Sequence, residues 1–258
     1  MIKSKMCKNT AFTLAEVLIA KRARGKMSSL KLSRTRELKA PSNRYLKQCA
    51  FTLAEVLITL GIIGVVAAMT IPTLVSSYQK SQTVSQLKKE YTTLAQAVKQ
   101  SEIDNGKNSD WDWGTSGDAA SIRTSFDTLW SPYLKVMKYC SSAADCGYTV
   151  GLLSGLLKDG VNQIGIYDPT TRISIMTPDG TFMMFHVSGK MVYVDLNAGK
   201  GPNLYGKDVF LFVLDPDKGL MPAGYSVVGN DCNSTHNGLY CAKKIMIDGW
   251  QISSDYPW

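Results

Sequence analysis

Apolar side chains fill residues 51–71 almost without a break, 21 positions carrying a single charge, Glu55. A helix of that length rises about 30 Å, the thickness of a bilayer's hydrocarbon core, so the segment is expected to cross a membrane once. Past Pro72 the pattern becomes periodic. Val84, Leu87, Tyr91, Leu94 and Val98 recur at spacings of three and four, with Lys88, Lys89, Glu90 and Lys99 read onto other faces. That spacing predicts a helix that continues beyond the proline, over residues 72–104, and lays one side on a domain. Asn105-Gly106 is the expected stop, because both residues tolerate the left-handed backbone that ends helices. Residues 51–104 would then form a rod on the order of 80 Å long.

Residues 105–258 are enough for one compact domain. Residues 110–117, with Trp111 and Trp113, read as a loop, and Asp118 is placed to cap a short helix carrying Ile122, Phe126 and Leu129 and limited by Pro132. Beyond it the pattern turns to strands. Residues 173–177 and 181–185 flank Pro178-Asp179-Gly180 as a hairpin. Residues 191–196, 209–214 and 245–247 are further strand candidates, with a Gly/Pro/Asn-rich connection over 197–207. Trp250 and the Tyr256-Pro257-Trp258 stretch are expected to pin this part of the chain to the sheet or to a neighbouring subunit. The predicted class is α+β: a long N-terminal helix, half membrane segment and half amphipathic, packed on an antiparallel sheet domain.

Four features stand in a fixed order around the apolar run. A basic-to-small junction (Lys47, Gln48, Cys49, Ala50) precedes Phe51-Thr52-Leu53, Glu55 follows four residues after Phe51, and Pro72 closes the run. This resembles the prepilin signature of type IV pilins and type II secretion pseudopilins. The resemblance implies a basic leader, residues 1–50, that a prepilin peptidase removes between Ala50 and Phe51. It also implies N-methylation of the new Phe51 terminus and polymerisation into a filament. The implied partners are the peptidase, other pilin or pseudopilin subunits and an inner-membrane assembly platform. Ala50 departs from the family, which usually has Gly before the cut; Ala is also small, and processing there is expected to be slower.

Glu55 can be read without the resemblance. A carboxylate in a spanning helix costs up to ~3 kcal/mol at mid-membrane, so it is expected either to meet a partner or to snorkel to the headgroups. In pilins the partner implied is the free amine of a neighbouring subunit's first residue, here Phe51. Gly61, Gly64 and Ala68 fall at spacings of three and four, which lets helices approach closely.

Charge changes the picture once it is divided along the chain. Residues 1–50 hold 13 Lys and Arg against two Glu, a surplus of eleven; the remainder holds 16 against 19, a deficit of three. The basic side of a span stays in the cytoplasm, which places the domain outside. The sequence pI of 9.1 therefore reflects the leader and gives no reason to expect a nucleic-acid partner. Residues 11–20 repeat residues 50–59 at nine of ten positions, but that copy runs into Lys21 and Arg22 after too few apolar residues to cross a bilayer.

Cys140, Cys146, Cys232 and Cys241 lie outside the cytoplasm on this topology, which favours disulfides, the simplest of three pairings being 140–146 with 232–241. Their spacing fits zinc ribbons poorly. Cys49 follows Lys47 and Gln48 rather than an apolar signal helix, which excludes a lipoprotein cysteine. His186 and His236 belong to no catalytic motif, so no enzyme is expected. Asp195 and Asn197, at alternate positions before Gly199, faintly resemble the start of a calcium loop to which Asp208, Asp215 and Asp217 could add oxygens. A solvated Asp/Asn turn is the competing reading.

Overall fold

The computed structural model describes residues 52–149, 152–153, 163–187, 190–227, 232–233, 235 and 237–258. Ala50, Phe51, Cys49, His236 and the 11–20 repeat lie outside the described residues.

Helix α1 (Leu53–Asn105) continues through Pro72 as one element. Its first half stays bare: Leu53, Ile63, Met69, Leu74 and Tyr78 are all exposed. The second half buries Val84, Leu87, Glu90, Leu94, Ala97, Val98 and Ser101 against the domain. Glu90 corrects the sequence expectation that put it on a polar face. It lies three residues from Leu87 and four from Leu94, which places it inside the apolar stripe at 3% exposure. Gly106, with φ 79°, ends the helix, and its carbonyl accepts the Trp111 Nε1–H at 2.9 Å.

A six-stranded antiparallel sheet packs on that half of α1. Its order is β1 (Lys138–Tyr139), β4 (Arg172–Met176), β5 (Phe182–His186), β6 (Met191–Asp195), β7 (Val209–Asp215) and β8 (Gly219–Pro222). From β4 to β8 it is a meander. The register pairs Ile175 with Met183, Met183 with Val194, and Val194 with Phe210, so one row of apolar side chains faces the helix. That row joins Leu87, Leu94 and Val98 in the main core. Phe182, Met184, Tyr193, Val209 and Leu211 point to the opposite face and form a second core with Cys140, Cys146, Tyr148, Leu153 and Ile166. Burial on both faces explains why β5 and β7 read as continuous apolar runs rather than alternating ones. A small separate pair, β2 (Leu152–Leu153) with β3 (Ile164–Gly165), belongs to that second covering layer.

Helix α2 (Ala119–Leu129) begins at Asp118, whose carboxylate accepts the Ala120 and Ser121 N–H groups at 3.0 and 3.2 Å. It delivers Phe126 onto Phe185, with ring centroids 4.9 Å apart, beside Trp130 at 4.7 Å from the same ring. These contacts extend the core towards the far end of α1.

Residues 245–247 correct a second expectation: they end helix α3 (Cys241–Ile247) rather than forming a strand. Cys241, Ala242 and Ile245 are buried while Ile247 is 72% exposed, a helical period that three consecutive apolar β-formers conceal. Here α3 touches the loop before β7, and Gly206 permits it. Gly206 has φ 83°, and a Cβ there would lie 2.6 Å from Cys241 Sγ. Gly206→Ala is therefore expected to lower stability by about 2 kcal/mol or more, through left-handed strain plus overpacking. A shift in the denaturation midpoint measures it, and an unchanged midpoint would contradict the contact.

Candidate functional site

The chemistry of the chain is divided between the bare half of α1 and the place where that half enters the domain. An 18-residue apolar window of α1 is 0% buried, which separates it from the core helix of a soluble fold. Three of its threonine hydroxyls are satisfied internally. The Thr59, Thr70 and Thr73 hydroxyls donate to the Val56, Val66 and Thr70 carbonyls at 2.9 Å, so none needs water in an apolar medium. Glu55 stands in the first turn, where the N-terminal end of the helix dipole favours a carboxylate. A Cβ at Gly61 or Gly64 would meet nothing within 4 Å, so both positions open onto the surroundings. Ala50 and Phe51, the expected processing pair, lie outside the described residues.

At the entry to the domain, the aromatic residues near position 258 dock on this chain's own helix. Trp250 sits 5.5 Å from the Tyr91 ring, with Lys88 Nζ 5.6 Å from the Trp250 ring centroid. Lys80 Nζ lies 6.0 Å from the ring centroid of Trp258. Between them Tyr256 is buried, and its hydroxyl donates to the Gly206 carbonyl. An open groove of about 520 Å³ runs between residues 79–86 of α1, the 196–208 loop and Trp258.

Two clusters each contain a buried carboxyl, Glu90 in the first and Asp195 in the second, and sequence reasoning missed the first. Glu90 meets Lys89 Nζ at 3.3 Å, and Lys89 also pairs with Asp179 in the β4–β5 turn. Burial, then the neighbouring Asp179 charge, pushes the Glu90 carboxyl up to about 7. Burial also acts to raise Asp179, but hydrogen bonds from Lys89, Thr177 and Glu90 hold it well below the usual carboxylate range. The signal was the position of Glu90 between Leu87 and Leu94.

The second cluster joins Asp195, Asn197 and Asp208. Asp195 is fully buried; its oxygens accept the Tyr148 hydroxyl at 2.6 Å and the Asn197 N–H at 3.1 Å. Burial, then the charge of Asp208, pushes its carboxyl up to about 8. Asp208 accepts the Asn203 and Leu204 N–H groups, both at 2.8 Å. Asp215 and Asp217 do not join them. They sit at the other end of β7, about 23 Å away at the rise of a strand, where Asp215 accepts the Asp217 and Lys218 N–H groups. Calcium takes six to eight oxygens, and Asp215 and Asp217 do not bring theirs to Asp195, Asn197 and Asp208. All four oxygens of Asp195 and Asp208 already hold the chain, and only Asn197 Oδ1 is left unpaired. Among the described residues no group of three or more His, Cys, Asp or Glu converges as a metal centre. These are loop staples, and they are buried rather than solvated.

Cys140 pairs with Cys146 and Cys232 with Cys241, with Cα atoms 5.6 and 4.7 Å apart. One bridge closes the layer over the second core, and the other ties the segment before α3 to its first turn. His186 lies at the end of β5, its imidazole pKa lowered by burial and then by Arg172.

Comparison with known proteins divides the chain at the same place. Residues 45–71 match the prokaryotic N-terminal methylation motif, which supports the type IV pilin and pseudopilin signature. Residues 73–258 match a family of unknown function, DUF6613. No curated protein and no solved structure matches the chain. A bare apolar helix behind a methylation motif fits a pilin-like precursor anchored in the inner membrane. With the family match covering all of the domain and the amphipathic half of its helix, the chain belongs to the family of unknown function DUF6613, carried on a pilin-type N-terminal helix.

Proposed function

We propose that the protein is a structural subunit of a type IV pilus or a type II secretion pseudopilus, matured by prepilin peptidase cleavage after Ala50 and assembled through α1. The observation that carries this reading is a single unbroken helix whose first half is apolar and bare while its second half is the spine of the domain. Such a rod buries its apolar face either in lipid or against copies of itself, and so can leave the membrane only by exchanging one for the other. Glu55, the one charge between Leu53 and Tyr78, is assigned to pair with the Phe51 amine of a neighbouring subunit. Gly61 and Gly64 allow the close approach, and Pro72 marks the end of the apolar run. The disulfides stabilise an exported domain, and the work is assembly rather than catalysis.

A different reading is a membrane-anchored sensing domain that never polymerises. The mass of the amino-terminal peptide of protein isolated from its host separates the two. A peptide beginning with N-methyl-Phe51 is the expected result; an intact basic leader would favour the anchored reading and overturn the proposal.

A further inference from the structure

We propose that the rim formed by Lys80, Lys200, Lys207 and Trp258 rests on the anionic headgroups of the bilayer that α1 spans. The exposed apolar surface of α1 runs from Leu53 to Tyr78, and the domain begins immediately afterwards, with Lys80 against Trp258 and Val84 already buried. No linker separates the two, because α1 is one helix. Lys80 therefore stands about 40 Å along the axis from Leu53, the thickness of a bilayer including its headgroups. Side chains on a helix lean towards its N-terminus, which aims the Lys80 ammonium back at the membrane. Tyr78 and Trp258, amphipathic rings at the same level, suit the interface.

Charge completes the match. Lys200, Lys207 and Trp258 line the groove beside residues 79–86. Two acids share it. Asp179 is engaged by Lys89, and Asp208 is buried with its oxygens on backbone N–H groups. Among the described residues neither Lys80, Lys200 nor Lys207 makes an ion pair. Three ammonium groups and an aromatic ring thus flank the groove where the helix enters the domain, a composition that binds phosphate-bearing lipid headgroups. The inference needs only that α1 be inserted, so it stands or falls separately from assembly.

The test uses the full chain reconstituted in vesicles, with a benzophenone amino acid at Gln82, an exposed groove residue, or at Lys107, beyond the far end of α1. With vesicles of phosphatidylcholine containing about 30% phosphatidylglycerol, lipid adducts at Gln82 are expected to exceed those in pure phosphatidylcholine by about fivefold or more. None is expected at Lys107. In K80Q/K200Q/K207Q, checked for native tryptophan fluorescence, the ratio should fall to near one. Equal adducts at the two positions, an unchanged ratio in the triple variant, or protein adducts in place of lipid would each overturn the proposal.

Discussion

Glu55→Val is expected to leave the protein cut and N-methylated at the same junction while its entry into filaments falls at least about tenfold, since the ~3 kcal/mol that a buried carboxylate can cost must be matched by a partner. The substitution makes the helix more apolar, so insertion into the membrane should not suffer. Nor does it touch the domain, whose contacts with α1 begin near Lys80, far along the axis. What it removes is the one charged side chain between Leu53 and Tyr78, the group proposed to pair with a neighbour's amine. Comparing sheared surface material with the membrane fraction, together with the mass of the amino-terminal peptide, reads both outcomes. Normal filament levels in this variant would leave Glu55 without a role in assembly.

Raising the pH from about 5.5 to about 7 is expected to destabilise the domain by up to about 4 kcal/mol, because the native state holds protons that the unfolded chain has released. Glu90 is raised to about 7 and Asp195 to about 8, both above their ordinary values of 4.5 and 3.8. Over that interval the unfolded state binds fewer protons than the folded one, so the slope of stability with pH is negative. It flattens above about 9, where both groups have ionised in either state. Asp179 works in the opposite sense: its lowered pKa adds stability above 3.8 that is lost on acidification. The maximum therefore falls near pH 4. Denaturation of the full chain in detergent, followed by tryptophan fluorescence, checks the profile, and Glu90→Gln with Asp195→Asn should flatten it. A profile that is level, or that rises from 5.5 to 7, would contradict the burial of these two carboxyls.

The elements whose burial follows one simple period were legible before any coordinates. Leu87, Leu94 and Val98 announce the domain-facing stripe, Asn105-Gly106 its end, Asp118 the cap of α2, and Pro178-Asp179-Gly180 the hairpin. Each depends on residues within a few positions of one another. Where local and tertiary demands differ, the reading failed. Ile245-Met246-Ile247 has the composition of a strand, yet it ends a helix that buries Cys241, Ala242 and Ile245 on one side, with Cys241 bonded to Cys232 and packed against Gly206. Strands β1 and β8 are too short to carry a pattern of their own and exist because β4 and β7 offer them open edges.

The candidate site divides the same way. By itself the order of residues determined that there is one apolar span, a basic segment before it and a charge near its start, because each of these is a property of consecutive residues in water or in lipid. Only the tertiary structure decided that Glu90 and Asp195 are buried acids, that Asp215 and Asp217 lie away from Asp208, and that Trp258 closes on Lys80 beside Lys200 and Lys207. Those relations join residues far apart in the chain, and their energies come from packing that excludes water, which no local pattern records.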